Sequence, residues 1–242
     1  MNSSLQLKGL KTVTKQDSLD LTVCLLNWKR PDNLNKIIDN LYGKVKIFLW
    51  DNSGIFKKDS RIDWQITSSI NKGCHPRWWM ALFAQTEFVC SYDDDFMFKD
   101  VSILQEAIDV LKSNTEKKAV GFCGRLLEDT SCDYKHTKTF EVNKVTDKLQ
   151  NKKEIVDLLL GRFILTTTQN IQKIKLSYTH TQDDIQVCAQ LADKQRQKFV
   201  LLKSLAESVI ELPDNHALWK RPGHFNLRQE ALIKYWYNDT SV

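Results

Sequence analysis

The sequence predicts an α/β fold in which a doubly wound, mostly parallel sheet binds its ligand along one edge. Short apolar runs alternate with amphipathic segments through the first hundred residues, a pattern typical of strands joined by covering helices. Polar clusters at 27–30, 51–53 and 93–95 follow three of the apolar runs directly. Because doubly wound sheets bind ligands beyond the carboxyl ends of their strands, we expect these clusters to converge on one rim.

The first half of the chain contains the most regular elements. Leu21–Asn27 is a continuous apolar run, which predicts a strand buried on both faces. Pro31 then opens an amphipathic helix that ends at Gly43. Further strands are predicted at 46–50, 64–69 and 88–92, with a helix at 76–84.

The second half is less regular. Helices are predicted at 101–113, 183–194 and 226–236, and strands at 119–123 and 198–202. Residues 137–145 suggest part of a hairpin, 147–153 a polar turn, and 213–223 a loop. An apolar stretch at 155–168 surrounds Gly161, which we expect to allow a close backbone approach or a simple turn. We divide the chain into a leader (1–19), a first half (20–100) and a second half of the same domain (101–242).

The composition is that of an ordinary globular protein. The 242 residues are 42% hydrophobic and 27% charged, which is enough for one sizeable core. The formal charge of +5 suits an anionic partner, and ordinary solubility explains it equally well. Because no basic run or basic stripe with interleaved aromatic residues is present, we expect no nucleic-acid partner.

The sequence shows no pattern typical of a signal peptide or of a membrane-spanning helix. Residues 1–20 contain no apolar core of a signal peptide, and no stretch approaches the ~20 apolar residues of a membrane helix. We expect no transmembrane segment, which leaves peripheral membrane association open. The six cysteines are scattered without a C-x-x-C pair, so we predict reduced thiols and a cytoplasmic location.

Three consecutive aspartates follow the predicted strand 88–92. Like charges a few ångströms apart repel, so Asp93, Asp94 and Asp95 must be paired, protonated or bound to a cation. Side chains alternate along an extended segment, so Asp93 and Asp95 can share one ligand while Asp94 faces elsewhere. The triplet therefore indicates either a Mg²⁺ or Mn²⁺ site or a solvated acidic turn.

Taken in order, these motifs resemble the nucleotide-binding half of GT-A glycosyltransferases. The shared order is a strand with N-x-x-R-P and a helix, a strand with D-x-S, N-x-G with an arginine, and a strand with D-x-D. The resemblance extends into 181–184 and 217–225, where it is similar to exostosin-like members and to compact bacterial and viral enzymes. The motifs in this chain are Asn27 to Pro31, Asp51 to Ser53, Asn71 to Gly73 with Arg77, and Asp93 to Asp95.

The resemblance implies a nucleotide-binding role for residues of the first half. Asn27 and Arg30 would lie beside the base and ribose, and Asp51 would accept the imide N–H of the base. Arg77 would approach the ribose or the diphosphate. This part of the chain would be the nucleotide-sugar-binding half, and residues 101–242 the acceptor-binding half.

The resemblance also implies the position of the metal. Asp95 would bind the Mn²⁺ or Mg²⁺ ion that bridges the two phosphates of the donor. Asp93 would touch the ribose or the water shell of the metal, and Asp94 belongs to the same nucleotide-contacting loop. A dication at this position would neutralise the nucleoside diphosphate as it leaves.

Two further acids, Asp183 and Asp184, open the predicted helix 183–194. Acids in a first helical turn commonly complement the helix dipole. The resemblance implies instead that Asp184 is the general base of an inverting enzyme, with Asp183 orienting the acceptor. The family usually has Glu-Asp where this chain has Asp-Asp, which leaves the orienting role of Asp183 open. In retaining members of the family a similar acid is not a simple base, so the stereochemistry is open as well.

A basic cluster surrounds Pro222 and Gly223 near the C-terminus. It comprises Lys220, Arg221, His224 and Arg228, and such runs are usually solvated surface. The resemblance implies instead a loop that closes over the diphosphate, in which Arg221 and His224 contact the donor.

The leading functional hypothesis is a metal-dependent transferase that moves a sugar from a nucleotide diphosphate sugar, with UDP-sugars favoured, to a hydroxyl of a glycan or glycolipid. A sugar nucleotidyltransferase is the second candidate, but its glycine-rich loop would replace 27–31, which contains no glycine. A catalytically inactive nucleotide- or carbohydrate-binding module is the third, and the intact acidic triplet disfavours it.

Overall fold

A computed structural model describes residues 18–127, 134, 138–140, 153–214 and 220–237. Its centre is an eight-stranded sheet in an α/β arrangement. Four parallel strands come from the first hundred residues: β1 (Leu21–Asn27), β2 (Lys46–Asp51), β3 (Trp64–Thr67) and β4 (Phe88–Tyr92). Four strands come from later in the chain: β6 (Ala119–Gly121), β9 (Lys153–Val156), β11 (Phe163–Thr167) and β12 (Phe199–Leu202).

The sheet order is β3-β2-β1-β4-β11-β6-β12-β9. Strand β11 runs antiparallel to both of its neighbours, and β9 runs antiparallel to β12. The predicted mostly parallel sheet is therefore confirmed. The two halves of the chain share this sheet, because β4 pairs with β11 over five residues. Two small sheets complete the strand set: β10 (Leu158–Leu159) with β7 (Gly124–Leu126) and β8 (Lys138–Phe140), and β5 (Phe96–Phe98) with β13 (Val209–Glu211).

Seven α-helices lie within the described residues. The first, α1 (Pro31–Leu41), begins at a proline whose missing N–H costs nothing in a first turn. It buries Leu34, Ile37, Ile38 and Leu41, whose spacing of three and four residues forms one face. The others are α2 (Pro76–Ala81), α3 (Ile103–Ser113), α4 (Thr168–Lys173), α5 (Asp183–Leu191), α6 (Lys203–Ser208) and α7 (His224–Leu232), and a π-helical turn, Ile233–Tyr237, follows α7.

The strand and helix positions agree with the sequence prediction in the first half, with shorter ends for β3 and α2. Strand β5 was not predicted, because three residues carry little periodicity and their partner β13 lies more than a hundred residues away. The apolar stretch 155–168 contains the end of β9, β10 and β11. The predicted leader (1–19), the hairpin at 137–145 and the turn at 147–153 lie largely outside the described residues. Of the predicted loop at 213–223, residues 215–219 lie outside them, and the described remainder contains no strand or α-helix.

A cluster of aromatic rings supports the loop that carries the acidic triplet. Tyr92 stacks on Phe96 with ring centroids 4.3 Å apart, and Phe96 contacts Phe122 at 5.0 Å. Phe98 and Phe163 contact each other at 5.2 Å. All five side chains are buried. Because such rings bury large apolar areas, they fix the backbone on both sides of the triplet.

Five of the six cysteines fall within the described residues, and they form no disulfide with one another. Cys132 lies outside those residues. Among the helices described above, none has the length and apolar content that crossing a bilayer requires.

Gly73 provides a test of how closely the loop before α2 approaches the loop before α5. Its φ is +71°, and a Cβ added there would lie 1.9 Å from the backbone oxygen of His180. The energetic cost of a positive φ and the cost of the backbone clash add together. G73A should therefore lower the free energy of unfolding, measured by urea denaturation, by about 3 kcal/mol or more.

Gly43 is the matched control, because its φ is +76° and nothing lies within 4 Å of an added Cβ. G43A should cost only the φ strain, about 1–2 kcal/mol. Equal losses in the two variants would contradict the close approach at Gly73.

Candidate functional site

A cleft of 610 Å³ opens at the carboxyl ends of β1, β2 and β4. Trp28 and Arg30 reach it from the loop after β1, and Asn52 reaches it from the loop after β2. The three aspartates line it from the loop after β4. The expected convergence of three strand ends on one rim is therefore present in the structure.

Each aspartate of the triplet pairs with a different arginine. Asp93 binds the Nη1 group of Arg77, which comes from α2. Asp94 binds Arg30, the residue before α1. Asp95 binds Arg162, with Nη2 3.2 Å and Nε 3.3 Å from Oδ1. The repulsion within the triplet is therefore offset by cations that come from three separate parts of the chain.

Asp94 faces away from its two neighbours. Its Oδ2 accepts the backbone N–H of Trp28 at 2.7 Å, and its backbone oxygen accepts the side-chain N–H of Asn33 at 2.9 Å. Arg30 also pairs with Asp214, so it links the triplet to the segment after β13. Burial raises the pKa of Asp94 to about 6, although Arg30 opposes this shift.

Asp93 and Asp95 remain partly open to the cleft. Their side chains are 27% and 17% exposed, whereas that of Asp94 is 8% exposed. Burial, with repulsion from Asp95 and Asp94, raises the pKa of Asp93 to about 7 against the attraction of Arg77. An added cation would relieve this repulsion.

Arg77 connects the triplet to the start of α5. Its Nε and Nη2 groups lie 2.9 Å and 2.8 Å from Oδ2 of Asp183. The same oxygen accepts the indole N–H of Trp78 at 2.7 Å. Arg77 and Asp183 are both almost completely buried. They therefore form an interior ion pair, and Asp183 is not an exposed acid that merely caps its helix.

Asp184 uses every acceptor position of its carboxylate. Arg228 donates to Oδ1 at 3.0 Å and to Oδ2 at 2.7 Å. The backbone N–H of Ile185 donates to Oδ1 at 2.9 Å, and that of Gly161 donates to Oδ2 at 3.0 Å. A carboxylate offers about four lone-pair sites, so an acceptor hydroxyl can bind Asp184 only if one of these bonds opens.

The charge state of Asp184 follows from this cage. Burial alone would raise the pKa of Asp184, but the Arg228 guanidinium and the N–H of Gly161 hold that pKa below its ordinary value. Gly161 is needed for the approach, because a Cβ there would lie 2.6 Å from Nη2 of Arg77. The predicted close backbone approach at Gly161 is therefore present.

Two aromatic side chains, Tyr134 and Phe225, line the cleft beside Arg228. Arg228 donates to the hydroxyl of Tyr134 at 2.5 Å, and the guanidinium of Arg125 lies 4.1 Å from the Tyr134 ring centroid. Phe225 lies 6.4 Å from Tyr134 between ring centroids and is 41% exposed. Burial, with Arg228 close by, lowers the pKa of His224, so its imidazole is neutral at pH 7.

The cleft carries an excess of negative charge. Among its described lining residues are seven carboxylates and five arginines, a formal difference of two negative charges. Additional positive charge would therefore favour the binding of a diphosphate in this cleft. The acids are Asp93, Asp94, Asp95, Asp183, Asp184, Glu211 and Asp214, and the arginines are Arg30, Arg77, Arg125, Arg162 and Arg228.

Asp93 and Asp95 are suited to hold a divalent cation together with a ligand. Within the described residues no group of three or more His, Cys, Asp or Glu side chains forms a ready-made metal site. However, Mg²⁺ is commonly bound by one or two carboxylates plus substrate phosphates. The Oδ2 atoms of Asp93 and Asp95 accept no hydrogen bond from the described part of the chain, so they are available for this purpose.

Three of the predicted nucleotide-contacting residues do not line the cleft. Asn27 and Asp51 are fully buried and bond to each other at 2.7 Å. Asp51 also accepts from the N–H groups of Ser53 and Phe56, at 3.0 Å and 2.9 Å. Because Asp51 is fully buried, direct contact with a base would require this loop to rearrange. Arg221 is exposed and lies outside the cleft lining.

The remaining predicted residues are brought together, and several others join them. Arg30, Arg77, Asp93, Asp94, Asp95, Asp183, Asp184 and His224 all line the cleft. Sequence reasoning did not single out Arg162, Glu211, Asp214 or Tyr134. Of the two alternatives for the basic cluster, solvated surface does not describe Arg228, because its side chain is buried against Asp184. The sequence did contain one signal for the position of Arg228. It follows His224 by four residues, so a helix places both side chains on the same face.

The fold is similar to that of a known transferase. No protein-family model matches the sequence, and no curated protein resembles it in sequence. A similar solved structure is the mannosyltransferase PcManGT from Pyrobaculum calidifontis in complex with GDP-Man and Mn²⁺. The TM-score is 0.59 at 12% identity, over 90% of this chain and 70% of the other. The chain therefore shares the overall fold of this mannosyltransferase structure. At this level of identity the similarity concerns the fold alone.

The Arg228–Asp184 pair can be tested through the pH dependence of stability. R228M leaves a buried carboxylate without its cation and should cost about 3–5 kcal/mol of unfolding free energy at pH 8. In the variant, burial raises the pKa of Asp184, so the side chain takes up a proton and stability returns as pH falls. In the wild type the pKa of Asp184 is below its ordinary value, so the pair persists to about pH 4.

The difference in unfolding free energy between wild type and R228M, measured by urea denaturation, should therefore shrink from pH 8 to pH 5. The double variant D184N/R228M is the control, since it has no carboxylate to protonate and its deficit should not depend on pH in this range. An R228M deficit that is the same at both pH values would contradict the ion-pair assignment.

Proposed function

We propose that this protein is a metal-dependent glycosyltransferase of the GT-A type. It would transfer a sugar from a nucleotide diphosphate sugar to a hydroxyl group of a glycan or glycolipid. The observation that carries the proposal is the position of the acidic triplet, which follows β4 and lines the cleft at the carboxyl ends of three parallel strands. The fold similarity to a mannosyltransferase solved with GDP-Man and Mn²⁺ supports it.

The donor would bind as a complex with the cation. A nucleoside diphosphate is anionic, and the described lining of the cleft has a formal excess of two negative charges. A dication between Asp93, Asp95 and the diphosphate would offset both sets of charges, and in this way it would assist departure of the nucleoside diphosphate. Mn²⁺ and Mg²⁺ both suit oxygen ligands of this kind.

The protein side chains would fix the rest of the donor. Arg77 and Arg30 lie beside the triplet and would orient the ribose and the diphosphate. Asn71 and Trp28 line the cleft near β1 and β2 and would contact the base. Asn27 and Asp51, which bond to each other, would shape the loop below the base without touching it. The resemblance favours a UDP-sugar, and the similar structure contains GDP-Man, so both nucleotides belong in the tests.

The acceptor would bind between the triplet and the wall that contains Tyr134 and Phe225. Sugar rings stack on aromatic faces, and Phe225 presents a partly exposed ring to the cleft. Asp184 would take the proton of the attacking hydroxyl once one of its four hydrogen bonds opens. Asp183 would hold Arg77 in place and orient the acceptor through its second oxygen.

The metal assignment predicts the effect of removing Asp95. D95A should weaken Mn²⁺-dependent binding of UDP or GDP by at least about 100-fold in calorimetry, since even the partners of metal ligands contribute 10–100-fold. D214N is the matched control, because it removes one negative charge from the same cleft at a residue that pairs with Arg30. Equal losses in the two variants would mean that only the overall charge matters.

The catalytic assignment predicts a separation of binding from turnover. With Mn²⁺, wild-type protein should hydrolyse a UDP-sugar or GDP-mannose slowly, and D184N should lose about 100-fold or more of that rate while it binds the nucleotide within threefold of wild type. Nucleotide binding without hydrolysis in the wild type would favour an inactive binding module. Formation of a nucleotide sugar from a nucleoside triphosphate and a sugar phosphate would favour the nucleotidyltransferase.

A further inference from the structure

Arg162 is more exposed than the other arginines that pair with the aspartates of the cleft. Its guanidinium contacts two carboxylates: Oδ1 of Asp95 at 3.2–3.3 Å, and both oxygens of Glu211 at 3.1 Å and 2.7 Å. The Arg162 side chain is 26% exposed and Glu211 is 46% exposed. The side chains of Arg77 and Arg228, in contrast, are 2% and 7% exposed.

The backbone of Arg162 is fixed although its head group is at the surface. The backbone oxygen of Arg162 accepts the N–H of Asp93 at 3.0 Å. The rings of Phe96 and Phe122 lie 5.2 Å and 5.6 Å from the guanidinium carbon. The backbone of Arg162 is therefore held beside the triplet, and its guanidinium packs against these two rings while it contacts both carboxylates at once.

Arg162 bonds Oδ1 of Asp95 and a dication would use Oδ2, so the two would compete through charge repulsion at one carboxylate. In the structure Arg162 supplies the positive charge beside Asp95, and a second cation at Asp95 would repel it. Glu211 offers the guanidinium a second partner with shorter bonds. Arg162 can therefore leave Asp95 without becoming an uncompensated charge.

We infer that Arg162 is a built-in competitor of the divalent cation, which neutralises Asp95 until the nucleotide arrives and then pairs with Glu211 alone. This inference rests on the proposed function and goes beyond it. Its consequence is that the cation and the nucleotide bind cooperatively: the cation binds weakly by itself and strongly with a diphosphate. The negative charge of the diphosphate offsets the repulsion between the cation and the displaced guanidinium.

Mn²⁺ binding to the full chain tests this inference without an activity assay. Free Mn²⁺ can be followed by its electron paramagnetic resonance signal, alone and with UDP or GDP. Wild-type protein should bind Mn²⁺ at least about 10-fold more tightly with the nucleotide than without it. R162Q should bind Mn²⁺ alone about 10-fold more tightly than wild type. Nucleotide should enhance Mn²⁺ binding less in R162Q than in wild type, because the phosphate ligands remain but no guanidinium has to move.

The opposite change in Glu211 sharpens the test. E211Q removes the second partner of Arg162, so the guanidinium should stay on Asp95 and Mn²⁺ should bind more weakly than in wild type. The loss should exceed that in D214N, which removes an equal charge elsewhere in the cleft. K46Q is the control for R162Q, since Lys46 is a cation paired with Asp63 and does not line the cleft.

The results separate this inference from the proposed function. If wild type binds Mn²⁺ with nucleotide but R162Q binds Mn²⁺ alone no more tightly than wild type, the inference is wrong and the transferase proposal stands. If no variant binds Mn²⁺ with either nucleotide, both are wrong. If R162Q does not fold, E211Q decides: a Mn²⁺ affinity equal to or above that of wild type would overturn the competition.

Discussion

The structure depends on the compensation of carboxylates that are crowded at one end of a sheet. Five aspartates lie where β4 and α5 meet the cleft, and four arginines from separate parts of the chain pair with them. Breaking one partner of a buried pair leaves an uncompensated charge, at a cost of about 3–5 kcal/mol. These pairs therefore fix the relative positions of the loops after β1 and β4, of α2, and of the two helices α5 and α7.

The ion pairs divide the cleft into a rigid part and an adaptable part. Arg77 and Arg228 are buried, and each makes several hydrogen bonds that the interior holds in place. Arg30 and Arg162 lie nearer the opening and each share two carboxylates. Because catalytic groups need fixed geometry while ligands must enter and leave, the buried part suits the proposed transfer chemistry and the rim suits the arrival of the proposed donor.

The sequence was informative where a structural feature depends on neighbouring residues. Apolar runs and the proline of α1 predicted the first four strands and their helices, and the strand ends predicted the rim of the cleft. The arginine partners could not be predicted, since Arg30 and Asp214 are 184 positions apart and Arg77 and Asp183 are 106 apart. The buried state of Asp51 escaped prediction for the same reason: its bond partner Asn27 lies on the adjacent strand.

The central claim is that Asp93 and Asp95 hold a divalent cation against the diphosphate of a nucleotide-sugar donor. Crystals grown with Mn²⁺ and UDP or GDP, measured at the manganese absorption edge, test this most directly. The account predicts one anomalous peak that lies about 2.0–2.2 Å from an oxygen atom of Asp95 and from one oxygen atom of each phosphate group. Nucleotide bound in the cleft with no such peak beside Asp95, or manganese bound only elsewhere, would contradict it.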